Sequence, residues 1–76
     1  MDSEELILNK VEHIFHQENI KECLNVRLYH LRWKSIDDDY ERNENRLKIL
    51  QTEDRIGFVN YRLALMYEDL FYHLNK

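Results

Sequence analysis

The chain has 76 residues, 43% of them apolar and 34% charged, with a formal net charge of −4. That length holds one domain, taken here as residues 1–76. The apolar content is too high for a disordered tail, and the negative balance argues against a dedicated nucleic-acid binder. A single cysteine, Cys23, excludes an intrachain disulfide, and no run approaches the roughly 20 apolar residues of a membrane span.

Turns and hairpins lean on glycine and proline. The sequence has no proline and one glycine, Gly57, so a helical fold is expected. The acidic start Met1-Asp2-Ser3-Glu4-Glu5 lacks the basic stretch that opens a signal peptide. With the lone cysteine, it points to a soluble cytoplasmic protein. Alanine occurs once, whereas Asn, Ile, Lys and Tyr are frequent. That bias suggests an AT-rich coding sequence of phage, mobile-element or low-GC bacterial origin.

A first helix is expected from an Asp2 or Ser3 cap, with Glu5 closing a capping box. Ile7, Leu8, Val11, Ile14 and Phe15 fall on one arc, and Asn19 is the expected stop. A second helix begins near Ile20 and carries two stripes. Ile20, Leu24, Leu28 and Leu31 form one; Val26, Tyr29, Trp33, Ile36 and Tyr40 form the other, about 160–180° away. The triplet Asp37-Asp38-Asp39 allows two readings, a loop that caps a new helix or a helix that continues. The persisting three-four rhythm through Tyr40, Asn43, Leu47 and Leu50 favours the continuous or kinked helix. Asp38 and Arg42 would then pair at i,i+4, and Asn43 would be a polar register device.

Thr52-Glu53-Asp54 reads as a restart, with a last helix to about Leu74. The alternative has Gly57 stop the preceding helix, with the final one starting at Phe58. The last helix is again two-faced. Ile56, Val59, Leu63, Met66, Tyr67, Leu70 and Leu74 form the broad arc, and Phe58, Tyr61, Leu65 and Tyr72 a second stripe on the far side.

Catalytic and metal chemistry find little support. His13 and His16 could touch one metal but have no third ligand nearby, and neither His-Glu-x-x-His nor Glu-x-x-His occurs. Asp69 and His73 read as an ordinary i,i+4 pair. Cys23 and His30 are seven apart, but a catalytic thiol also needs an oxyanion site and a cleft. No enzyme activity, cofactor or metal is therefore expected. Residues 20–36 carry a net +3, with Arg27, His30 and Lys34 along one edge beside Tyr29 and Trp33. That edge is the alternative reading, a nucleic-acid contact.

A three-helix bundle, or a four-helix one if residues 37–51 form a separate helix, turns one broad face of each helix inward. Two helices with opposite apolar faces leave surface to cover, and uncovered apolar patches mark association sites. The expectation is a small helical interaction protein, a homodimeric regulator or inhibitor that also binds another protein. Tyr29, Trp33, Ile36, Tyr40, Phe58, Tyr61, Leu65 and Tyr72 would line the interfaces.

Overall fold

A computed structural model describes residues 2–75. Two long α-helices make up almost all of it: α1, Ser3–Arg32, and α2, Asp39–Leu74. They pack antiparallel as a helical hairpin, and there is no strand among the described residues. The expected three- or four-helix bundle is thereby corrected: one interhelical contact surface replaces several.

The helix boundaries follow from local chemistry. Asp2 caps α1, its Oδ1 accepting from the Glu5 N–H at 2.8 Å. Helix α1 then runs through Asn19 without a break, so the expected stop there is wrong. Asparagine is only mildly unfavourable inside a helix, and Gln17, Glu18 and Ile20 on either side are half-buried against α2. The helix ends at Arg32, with the Trp33 N–H bonded to the Tyr29 carbonyl.

The favoured continuous helix through Asp37-Asp38-Asp39 is also wrong. Three acids just beyond a helix C-terminus face the negative end of its dipole, but at an N-terminus they face the positive end. The chain takes the second arrangement. Asp38 caps α2 through a 3.0 Å bond from the Tyr40 N–H, and Asp39 and Glu41 lie in the first turn. Arg42 consequently pairs with Asp39 at 3.5 Å and donates to the Ile36 carbonyl, not to Asp38. Ile36 sits in the connection, so it and Tyr40 do not extend the stripe of α1.

Thr52 does not restart a helix. It lies mid-helix, buried, and its hydroxyl donates to the Lys48 carbonyl at 2.7 Å, four residues back. This satisfies the hydroxyl internally and frees Thr52 from a capping role. Gly57 is likewise inside α2 and stops nothing.

The seam explains why two helices suffice. Along the centre of the seam stand Ile7, Lys10, Ile14, Gln17, Lys21, Leu24, Leu28 and Leu31 of α1 and Asn45, Ile49, Thr52, Ile56, Val59, Leu63, Met66, Leu70 and His73 of α2, with the half-buried Val11, Ile20 and Tyr67 packed at its flanks. All are buried or half-buried, and both series step by three and four without interruption. That is a heptad seam, narrower than the arc a globular bundle needs. Ile14, Leu24, Val59, Leu63 and Leu70 form its packed centre.

Polar rungs fix the alignment along the seam. Lys10 bonds Asp69 near the open end, Tyr67 bonds Glu18 further in, and Arg32 bonds Glu53 towards the connection. Close to the connection, the Asn45 amide donates to the Leu31 carbonyl at 2.8 Å. The register asparagine is thus Asn45, while Asn43 is exposed. The result is a rod of 57 × 16 × 15 Å, close to the roughly 54 Å expected of a 36-residue helix.

Candidate protein-interaction face

A heptad hairpin normally carries polar residues on the side away from its seam. Here that side carries exposed apolar residues between charges such as Asp54 and Glu68. On α2, Leu47, Leu50, Phe58, Tyr61, Leu65 and Tyr72 are all exposed, Phe58 at 61% and Tyr61 at 63%. Their spacing repeats the seam's rhythm, displaced by about two residues and hence to the far side of the helix. On α1, Leu8, Phe15, Val26 and Tyr29 are exposed, as is Trp33 at its C-cap, at 76%.

Leu8 and Phe15 were expected in the inward arc of a one-faced first helix. Each directly follows an inward residue, Ile7 or Ile14, and a step of about 100° carries it out of so narrow a seam. Leu74, expected inward on α2, is also exposed. Sequence reasoning placed Leu47 and Leu50 on the rhythm that continues Val26, Tyr29, Trp33, Ile36 and Tyr40 but did not name them among the interface residues. Writing α2 in two heptad registers at once would have separated them.

The amount of uncovered surface is large. The chain exposes 6294 Å², whereas a compact protein of 9.5 kDa exposes about 5,000 Å². The radius of gyration, 17.5 Å, likewise exceeds the roughly 11 Å of a compact chain this long. Some 1,200 Å² of excess surpasses the roughly 800 Å² that each partner covers in a standard interface.

The surface aromatics are partly ordered by neighbours. Tyr29 and Trp33 lie 6.2 Å apart between ring centres, with His30 edge-on to Tyr29. The Arg62 guanidinium sits 5.9 Å over the Phe58 ring. Tyr67 and Phe71 stack at 6.3 Å.

Elsewhere the polar groups serve the fold. Asp69 accepts from Lys10 and lies 3.5 Å from His73. The Lys10 hydrogen bond holds its carboxyl below the usual carboxylate value. Hydrogen bonding to Glu18 raises the Tyr67 phenol above its usual value. His13 and His16 are exposed, and no group of three or more potential metal-ligating side chains occurs among the described residues. Cys23 is exposed beside Asn19, Glu22 and Val26.

The structure does not assemble the expected basic edge into one strip. Arg27 and His30 are exposed on α1, but Lys34 lies past its end, in a hollow shared with Glu41 and Glu44. No helix among the described residues is long and apolar enough to cross a membrane. Compared with known proteins, the chain matches no family model, no curated protein and no solved structure.

Proposed function

We propose that this hairpin is a protein-interaction module that pairs with a second copy through the outer face of α2 and acts as a cytoplasmic regulator or inhibitor of another protein. The observation that carries the reading is the uncovered apolar stripe Leu47-Leu50-Phe58-Tyr61-Leu65-Tyr72. Removing such surface from water contributes about 25 cal/mol per Å² before the costs of association. Two-fold pairing needs only one such patch, because the same surface serves both partners. The α1 aromatics Tyr29 and Trp33 then remain for the regulated protein, and tryptophan and tyrosine are the side chains most enriched at binding hot spots.

Light scattering coupled to size exclusion tests the pairing. At tens of micromolar the mass should be twice the 9.5 kDa of one chain. Tyr61→Glu and Leu65→Glu should each return it to one. A monomeric mass for the native chain, unchanged by either substitution, overturns the dimer. For the regulatory role, a protein captured from the native cell should be lost on Trp33→Ala while the dimer persists. Recovery of the bait alone counts against it.

A further inference from the structure

Gly57 is hard to explain within one hairpin. It sits inside α2, where glycine costs about 1 kcal/mol relative to alanine. Its φ is not positive, and a Cβ placed on it would meet nothing within 4 Å. Neither backbone conformation nor packing against α1 calls for a missing side chain. The only alanine of the chain, Ala64, is one heptad further along, exposed on the same outer side. Between and beside them stand the exposed Phe58, Tyr61 and Leu65.

Close to Tyr61, side-chain size is complementary about that residue. Leu50 and Tyr72 lie at equal sequence distance on either side of it. So do Gly57 and Leu65, and so do Phe58 and Ala64. We infer that α2 meets α2 of a second copy antiparallel, about a two-fold axis at Tyr61, with Leu65 of each copy seated over Gly57 of the other and Phe58 over Ala64. This rests on the dimer proposed above and specifies its geometry. Leu65 and Phe58 then each face a small residue, so the helices approach closely on either side of the axis, where the two Tyr61 rings lie side by side, while Leu50 meets Tyr72 further out. A parallel pairing would set Gly57 against Gly57 and Phe58 against Phe58, leaving a gap beside a collision. A standard interface covers roughly 800 Å² on each partner, less than the excess of the whole chain's exposed surface over that of a compact one.

The same register has a second consequence. Asp54 and Glu68 are also equidistant from Tyr61 and lie in line with it along α2. Antiparallel pairing therefore brings Asp54 of one copy towards Glu68 of the other, twice per dimer. Those like charges weaken the association, and reversing one sign converts both contacts to attractions.

Sedimentation of the full chain over a concentration series gives the test. Gly57→Leu should raise the dimer dissociation constant at least tenfold while helical circular dichroism is retained or increased, since leucine favours the helix and the site is open in the single hairpin. Asp54→Lys should lower the constant by roughly threefold to tenfold in low salt, an effect that high salt removes. If the native chain dimerises and Tyr61→Glu separates it, but Gly57→Leu leaves the constant unchanged, the close approach is wrong and the dimer stands. If Asp54→Lys leaves the constant unchanged, residue 54 faces itself as in a parallel pairing, and if it weakens the dimer, Asp54 faces a cation; either result overturns the inference. A native chain that never dimerises removes the underlying reading itself.

Discussion

Single residues in this hairpin matter according to which side of their helix they occupy. Leu63 is 4% exposed in the seam centre, and a two-helix seam has no third helix to close over a cavity. Leu63→Ala should cost about 3 kcal/mol, read as a lower urea midpoint. Its neighbour Leu65, truncated in the same way, should leave a single hairpin nearly as stable as before. Asp69 makes a pH-dependent contribution. Its folded-state carboxyl is held below the ordinary 3.8, first by the Lys10 hydrogen bond and also by the charges of Lys10 and His73. A depressed acid contributes stability that is present above the unfolded value and lost as pH falls through the folded one. Lys10→Met should therefore flatten the acid limb of the stability profile below about pH 4. A wild-type and variant difference that stays constant down to pH 2 would contradict this.

At the scale of elements, much of the pattern was legible and its punctuation was not. The stripe Ile20-Leu24-Leu28-Leu31 faces inward as its spacing predicts, and so does Ile56-Val59-Leu63-Met66-Leu70. These runs depend only on helical period. The breaks depend on competition between weak signals. Asn19, Thr52 and Gly57 each look like a stop or a cap, but each costs at most about 1 kcal/mol inside a helix, less than the continuous seam returns. Asp37-Asp38-Asp39 looks like a continuing stripe, yet three adjacent acids gain from a helix N-terminus and lose at a C-terminus. The connection therefore depends on its cap. Asp38→Ala should destabilise the hairpin by about 1 kcal/mol, and Asp38→Asn by much less, in thermal melts monitored by circular dichroism. The two-sided character of α2 was readable from the wheel. The two-sided character of α1 was read only for its second half, because Leu8 and Phe15 adjoin inward residues.

At the scale of the whole molecule, one thin seam must hold 76 residues. No side chain in it is as little as 2% exposed, and small scaffolds of this kind gain stability by oligomerising. In the proposed dimer folding and pairing are linked by mass action: the melting temperature should rise by several degrees between about 5 and 500 µM chain. Tyr61→Glu should abolish that dependence and leave the lower melting temperature at all concentrations. A melting temperature that ignores concentration in the native chain would separate stability from association.

The two helices start and finish beside each other: Ser3, Leu6 and Ile7 share a hollow with His73 and Leu74. Tension applied at this shared end would load the seam one layer at a time. The Lys10–Asp69 rung would part first, then the Glu18–Tyr67 rung, with Arg32–Glu53 and the Asn45 bond near the connection last. The hairpin would open like a zipper at low force, whereas pulling along opposite ends would shear all layers together. A second copy laid along α2 would brace the middle of that zipper.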